Sequence, residues 1–412
     1  MQLVAYGAQD IYLTGNPKVT FFQAVYKRHT NFAMETIEQT MNGTAASSGR
    51  VSITVARNGD LIGDMFLEAT TVTSGGMSNK SDDTNKDTNW IAERIVSTAE
   101  LSIGGQRIDK HYQRWWRLYA ELYLDESAKL NWGKMTSTST DDAKVYLPLI
   151  FFFNRNPGLA LPLIALQYHE VRLDFDLSGV YDTNFDSFKV WGNYIYLDTE
   201  ERRRFAQKGH EYLIEQVQHT GSDSLAAAGS TKQIRLSYNH PVKELVWCTE
   251  ASSNVIGDLN GIWNFSDTSV TVSSNVAAIA DSNVALAPGA AGAPLLLGLT
   301  EFDEDKSGPL DTFKLVLNGQ DRFKEQGGKY FNSVQAYNHH TGSPMPGIYS
   351  YSFALKPEEH QPTGTCNFSR IDNAQVSIAT KSGSGKTTLN MFATNYNVLR
   401  IQSGMGGLNF AN

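Results

Sequence analysis

Residues 347–380 read GIYSYSFALKPEEHQPTGTCNFSRIDNAQVSIAT, and this stretch sets the class of the fold. It opens with alternation. Ile348, Ser350, Ser352 and Ala354 fall on one side, and Tyr349, Tyr351, Phe353 and Leu355 on the other. The second set is large and apolar, so the period of two predicts a half-buried strand over 348–355. Lys356-Pro357 ends it, because proline has no N–H for the ladder and restricts the residue before it. Glu358, Glu359 and His360 come next in a polar loop, and Pro362, Thr363 and Gly364 make a turn. A second strand then places Ala374, Val376 and Ile378 on one face and Gln375 and Ser377 on the other. These residues make a β-rich wall with a long connection, and no catalytic constellation stands among them.

Working outward, the N-terminal residues 1–16 read as an extended arm with turns at Gly7 and Gly15. Asn16-Pro17 resembles a cap and a first-turn proline, and Val19, Phe22, Val25, Tyr26 and His29 recur at helical spacing. A short helix is therefore expected near 17–29. Residues 32–39 read as a strand, and Val51, Ile53 and Val55 alternate as the next. Residues 73–89 are rich in Ser, Gly, Asn and Asp and read as an exposed loop. A strand over 94–103 turns at Gly104-Gly105. Tyr112, Trp115, Trp116, Tyr119 and Leu122 then recur at steps of three and four, predicting an amphipathic helix over 110–124. A tryptophan pair can be a sugar platform, but at helical spacing it reads as core. Residues 199–207 form a second helix, with Thr199 as cap, Glu200 and Glu201 at its positive end and Gly209 as its stop. The Gly/Ser/Ala-rich residues 220–230 read as the boundary between two domains, and the low-charge residues 251–300 as long loops on an exposed tip.

The second half repeats the first. ELSIGGQ (100–106) matches KLVLNGQ (314–320), with Gln106 and Gln320 separated by 214 positions. Val171, Leu173 and Phe175 match Ala374, Val376 and Ile378 at a separation of 203, and Asn193-Tyr194 matches Asn395-Tyr396 at 202. The three landmarks keep one order at similar offsets, which argues for two copies of one domain. Many short strands with Gly and Pro turns make each copy a sandwich.

Composition bounds the function. The 412 residues suit two or three domains, and 20 Phe, 18 Tyr and 7 Trp suffice for sizeable cores. Charged residues make up only 19%, which suits a protein that hides surface in permanent contacts. The net charge is −8; divided at residue 212, each half carries −4, from 22 basic and 26 acidic residues in the first and 13 and 17 in the second. With no basic arm, direct contact with nucleic acid is not expected, because displacing counterions takes several Lys or Arg. Two cysteines, Cys248 and Cys366, are too few for a disulfide scaffold and point to a reducing compartment. The opening MQLVAYGAQD lacks the basic and apolar regions of a signal peptide. The apolar runs 146–153 and 159–166 are too short to cross a bilayer, with Arg155 and Pro157 between them, so the chain reads as soluble.

Several stretches invite a chemical reading. Residues 381–388, KSGSGKTT, end like a phosphate-binding loop, but Thr380 stands where the pattern needs its first Gly. Residues 389–401 look like strand, so a hairpin tip is expected. His339-His340 and His360 lie near acids, but adjacent strand residues point to opposite faces and chelate poorly, so no metal site is expected. Cys366 reads as a small buried hydrophobe. Arg202, Arg203 and Arg204 come after two glutamates and read as partners in ion pairs. No GxSxG elbow occurs, and no catalytic or cofactor-binding residue is assigned. Sequons begin at Asn42, Asn79, Asn264 and Asn367; Asn79 and Asn264, in presumed exposed loops, are the best candidates for glycosylation if the chain meets that machinery.

Long runs of the sequence resemble one family. FALKPEEHQPTGTCNFSRIDNA (353–374) closely resembles the C-terminal domain of the major capsid proteins of nucleocytoplasmic large DNA viruses, those infecting algae and other protists in particular. GAQDIYLTGNPKVTFFQAVYKRHTNFAMETIEQ (7–39), GGQRIDKHY (104–112), LPLIALQYHEVRL (161–173), YIYLDTEERRRFAQ (194–207), HEYLIEQVQ (210–218) and NYNVLRIQSGMGGLNF (395–410) resemble the same family. The resemblance implies an all-β fold of two tandem jelly-roll sandwiches with a few short helices in the connections. The expected division is an assembly arm (1–16), a first jelly roll (17–219), a linker (220–230) and a second jelly roll (231–412). It further implies a homotrimer forming a pseudo-hexameric capsomer in an icosahedral shell, found in the virion after assembly in host cytoplasm. Implied partners are neighbouring capsomers, minor capsid or penton proteins, and an internal viral membrane on the side of the arm. The competing reading is a carbohydrate-binding β-sandwich of lectin or adhesin type, since jelly rolls serve there too.

Overall fold

A computed structural model describes residues 7–71, 78–79, 82–86, 90–137, 144–179, 185–251, 265 and 308–410. The first unit contains β1 (Phe32–Glu38), β2 (Met41–Gly43), β3 (Arg50–Thr54), β4 (Leu61–Thr71), β5 (Ser78–Asn79), β6 (Asp82–Lys86), β7 (Val96–Ile103), β8 (Gln106–Tyr112), β9 (Lys144–Pro148), β10 (Leu161–Pro162), β11 (Val171–Leu177) and β12 (Phe185–Leu197). The second contains β13 (His210–Ser224), β14 (Lys232–Leu236), β15 (Pro241–Ala251), β16 (Leu310–Leu317), β17 (Gln320–Asp321), β18 (Ile348–Ser352), β19 (Cys366–Asn367), β20 (Ala374–Thr380), β21 (Lys386–Gln402) and β22 (Met405–Leu408). Helices α2 (Ile91–Ile95), α3 (Gln113–Tyr123), α4 (Glu126–Thr136), α5 (Phe152–Arg155), α6 (Thr199–Gln207) and α7 (Gln335–His339) fill connections, and α1 (Asp10–Thr14) lies in the N-terminal arm.

Each unit is two antiparallel sheets face to face, and the two units are wired alike. One sheet of the first unit runs β1-β12-β4, with β9 and β10 both pairing β4; its counterpart runs β13-β21-β15, with β18 and β19 both pairing β15. The facing sheets run β3-β11-β7-β8 and β14-β20-β16-β17, β2 extending the first of them. The sequence landmarks occupy matching places. Leu173 pairs Leu101 in one sheet and Val376 pairs Leu315 in the other. Both β7–β8 and β16–β17 are hairpins closed by two left-handed residues, Gly104 (φ 58°) with Gly105 (φ 82°), and Asn318 (φ 52°) with Gly319 (φ 77°). Such positive angles fit the right-handed twist of the strands and explain the Gly-Gly and Asn-Gly pairs.

The strands form as the alternation predicts where one face meets a core. Arg50–Thr54 buries Val51 and Ile53 and leaves Ser52 between them partly exposed. The stretch 347–380 departs from the expectation. Its first strand ends at Ser352, Ser350 is buried, and Leu355 is 73% exposed. Ile348 enters one apolar cluster and Tyr349 the other, so both faces of this strand are covered.

Four other expectations are corrected. Residues 17–29 are not helical; the short helix is α1, farther upstream. Val19, Phe22, Val25 and Tyr26 are exposed among the described residues, and helical spacing alone does not hold an isolated helix in water. The strand expected from residue 94 begins at Val96, after α2. The helix expected over 110–124 starts at Gln113, because Lys110, His111 and Tyr112 still belong to β8. Asp198, and not Thr199, occupies the N-cap position of α6, and Lys208, one residue before Gly209, is its C-cap.

Strand pairing passes from one unit to the other between Leu197 and His210, around α6. His210–Ser224 is an edge strand on β21, so the linker expected at 220–230 lies past this changeover. Within the loop expected at 73–89, the backbone of β5 and β6 forms a small ribbon. The loops expected at 251–300 lie outside the described residues, apart from Ala251 and Phe265.

Candidate functional site

No group of three or more His, Cys, Asp or Glu that could hold a metal ion is present among the described residues. No helix among them is long and apolar enough to cross a membrane. The most highly organised polar region is the seam where the two units meet. It is built from α3, α4 and α5 of the first unit against β13, β15, β21 and the segment 340–345 of the second.

Helix α3 carries the contact because its two tryptophans diverge. Trp116 turns into the first unit, edge-on to His111 at 6.3 Å, while Trp115 packs on Phe392 of the second unit with centroids 5.7 Å apart. Both are buried, which removes the sugar-platform reading. Tyr112 sets its ring edge-on to His219 at 4.9 Å, and Tyr123 does the same to His340 at 5.2 Å. The apolar core of the first unit continues across the seam into Ile214, Val246, Cys248, Ile348 and Phe392. Gly342 lets the chains approach closely: a Cβ there would come within 2.3 Å of Glu121 O.

Charges are buried in the same seam, in pairs. Glu215 on β13 accepts from Arg155 Nη2 (2.7 Å) and lies 2.7 Å from Nζ of Lys243, which is fully buried. Burial alone pushes the Glu215 carboxyl up, but the Arg155 and Lys243 cations outweigh it and hold it below the usual range. Burial also pulls the Lys243 ammonium down, and Glu215 restores only part of that. Nearby, His340 contacts Glu244 through Nε2 and donates from Nδ1 to Glu358 Oε1 (3.2 Å). Burial lowers the imidazole's pKa, yet the two carboxylates overcome it and raise it to about 9. Tyr123 Oη donates to the other oxygen of Glu244 (2.6 Å), and Arg114 Nη2 donates to Glu250 (2.8 Å). Where β8 and β13 meet edge to edge, side chains bridge them: Val217 N donates to Asp109 Oδ1 (3.0 Å), and Gln216 Nε2 donates to Ile108 O. This is a joint between two domains, with oppositely charged groups set against one another.

The stretches singled out in the sequence fall elsewhere. Residues 381–385 form the turn between β20 and β21, and a strand comes after them where a nucleotide loop needs a helix. Arg202 pairs with Asp60 (2.9 Å) and Arg203 with Glu200 (3.7 Å). Cys248 is buried and its thiol is pushed well up by burial, while Cys366 is only half-buried; both are free thiols. Asn79 lies in β5, and Asn264 lies outside the described residues. Sequence reasoning passed over Arg155, Glu215, Lys243 and Glu244. The signal was present: charged residues inside or just after apolar runs, Arg155 after FFFN, Glu215 after YLI and Lys243-Glu244 inside PVKELVW.

Two tandem sandwiches with one topology, locked side by side through a buried seam, define a structural protein of the double jelly-roll class. The comparisons agree. Residues 20–198 match the family described as "Major capsid protein N-terminus", and residues 201–407 the family described as "Large eukaryotic DNA virus major capsid protein". The chain is 44% identical to the major capsid protein of Paramecium bursaria Chlorella virus 1, over 100% of this chain and 99% of that protein. It is 41% identical to the major capsid protein of Pyramimonas orientalis virus, again over 100% and 99%. Its structure superimposes on a subunit of the "PBCV-1 virus capsid, quasi-atomic model" with a TM-score of 0.79 at 39% identity, covering 95% of this chain and 100% of that one. The Faustovirus major capsid protein shares the fold, with a TM-score of 0.69 at 12% identity. The chain therefore belongs to the family of major capsid proteins of large eukaryotic DNA viruses. It is a structural component of the virion shell.

Proposed function

We propose that three copies of the chain close into one capsomer whose six jelly rolls form a near-hexagonal tile, and that such tiles build an icosahedral shell. The observation that carries this is the pair of identically wired units in one chain. Two like units per chain and a threefold axis give six like units around a ring, and cyclic closure repeats a single heterologous interface. The low charged fraction, 19%, fits interfaces of the large permanent kind, on the order of 2,000 Å² or more per pair.

The shell-facing directions rest on connectivity. β4 and β15 are equivalent strands, and the stretches 72–77 and 252–264 leave from their ends, so these two connections emerge at the equivalent end of each unit. We assign that end to the outside. The N-terminal arm leaves from the opposite end, where Phe32 pairs with Leu197, and it faces inward, toward minor capsid or penton proteins and an internal membrane. The negative charge fits a tile that does not touch the genome, and the protein has no enzymatic role. Glycosylation at the sequons of Asn79 and Asn264 belongs to the same proposal. Light scattering of the purified protein should give three times 45.6 kDa, and electron micrographs should show threefold particles. A stable monomer at micromolar concentration, with no threefold particle, removes this reading.

A further inference from the structure

Strands β8 and β13 are the outermost strands of their sheets, and they face each other across the two units with no ladder between them. Asp109 and Gln216 bridge part of the gap through side chains. Beside these bridges lies a cavity of about 170 Å³, with Arg107, Lys110 and Tyr112 on one wall and His219, Thr220 and Asn239 on the other. A bulge shapes the first wall. Ser102 pairs Arg107 and Leu101 pairs Asp109, so Ile108 is an extra residue and the alternation of β8 breaks there. Arg107 and Lys110, which strict alternation would put on opposite faces, line the same cavity.

The first wall is cationic. Arg107 is exposed and has no ion-pair partner among the described residues. Lys110 Nζ lies 5.7 Å from the centre of the Tyr112 ring, and Glu100 stands opposite Lys110 in the β7–β8 pair. Asp109 is already committed: Oδ2 is 2.9 Å from His111 Nε2, and Oδ1 accepts from Val217 N and Lys110 N. Burial raises the Tyr112 phenol, which therefore keeps its proton and can donate. The second wall adds an acceptor. His219 Nδ1 donates to Met391 O (2.9 Å), and burial lowers the pKa of the ring, so the neutral imidazole keeps a lone pair on Nε2.

Two cations, a phenolic donor and an imidazole acceptor fit a tetrahedral oxyanion that also carries a hydroxyl. Phosphate is that group: its charged oxygens take the cations, and its P–OH can donate to a nitrogen. Sulfate at neutral pH has the charge and lacks the proton. We infer that this cavity binds a phosphate group, as inorganic phosphate or as the end of a small phosphate monoester. Arg107 and Lys110 hold its charge, His219 Nε2 accepts from its hydroxyl, and the bound group ties β8 to β13 where no ladder joins the units. The site lies within one chain and is independent of the trimer reading.

The test is calorimetric titration of the full-length protein at about pH 6.5, where phosphates keep a hydroxyl on a sizeable share of molecules. The probes are inorganic phosphate, glycerol 3-phosphate and sulfate at constant ionic strength. One phosphate should bind per chain. Arg107→Gln and Lys110→Gln should each raise Kd about tenfold or more, as loss of a hydrogen bond to a charged group does, and sulfate should be weaker than phosphate by a similar factor. Arg107 is on the surface, so Arg107→Gln should keep the circular dichroism of the native fold. Arg235→Gln removes an exposed charge from the second unit and should leave binding unchanged. Absence of saturable binding, an equal loss in Arg235→Gln, or sulfate as tight as phosphate overturns the site. Binding of either phosphate probe in the expected pattern supports it, and the tighter of the two identifies the source of the group.

Discussion

Replacing Glu215 by glutamine should be among the most damaging conservative changes available in this chain. Glu215 is the single anion between the fully buried Lys243 and the partly buried Arg155, each 2.7 Å away. The Glu215→Gln change keeps the side-chain volume but leaves both cations in the seam without a counter-charge. Breaking a buried pair from one side costs about 3–5 kcal/mol, because the remaining charge loses its solvation with no compensation. For units of this size each kcal/mol moves the midpoint by roughly 2–4 °C, so thermal unfolding should fall by about 6–20 °C. Lys243→Met is the contrasting change. It removes one cation, leaves the Arg155–Glu215 pair, and fills the space with an apolar chain, so its cost should be small or even reversed in sign. The assay is calorimetry of both variants at pH 7 and one protein concentration, since assembly makes the midpoint depend on concentration. A Glu215→Gln loss below about 1 kcal/mol, or a Lys243→Met loss equal to it, would refute the idea that the seam charges are balanced against each other.

The His340 cluster should make the seam sensitive to alkali: a group raised from 6.5 to about 9 contributes stability that is complete below pH 6.5 and is lost as pH climbs through 9. The full effect is roughly 3 kcal/mol from the size of the shift, and His340→Gln should flatten the unfolding midpoint measured between pH 7 and 10. Glu215 works in the opposite direction: its lowered pKa stabilises above about 4.5 and is lost on acidification below that, which Glu215→Gln should abolish in an acid titration of the midpoint. Gly342→Ala should cost about 1–3 kcal/mol, since a methyl group 2.3 Å from Glu121 O forces backbone apart; unchanged thermal stability would contradict the close approach. Lys386→Ala should leave assembly unchanged and reveal no nucleotide site, and saturable ATP binding by calorimetry in the wild type that the substitution abolishes would contradict the hairpin reading.

The all-β class, the repeat and its landmarks were legible in the sequence because they rest on local periodicity. Val51 and Ile53 alternate because one face of β3 meets a core, and the turns at 104–105 and 318–319 carry Gly and Asn because two successive residues need positive φ there. Such signals depend on a few neighbouring residues and survive without knowledge of the rest of the chain. The failures share a cause too. Residues 17–29 have helical spacing and form no helix, because spacing yields a helix only when something packs on the apolar face. In 348–355 the alternation promised one buried face, but the second unit is pressed against the first and Ile348 and Tyr349 enter different clusters.

The seam is the part that only the tertiary structure decided. Arg155, Glu215 and Lys243 are far apart in sequence, each alone reads as a misplaced charge in an apolar run, and nothing local says that they meet. The same holds for His340, whose sequence neighbour His339 suggested a pair, whereas its partners Glu244 and Glu358 come from β15 and the loop after β18. A strand's own residues dictate that it is a strand and which side is apolar. Which other surface covers that side, and which buried charges find their counter-charge there, depends on closing loops of tens to hundreds of residues, and that is settled only when the two units fold against each other.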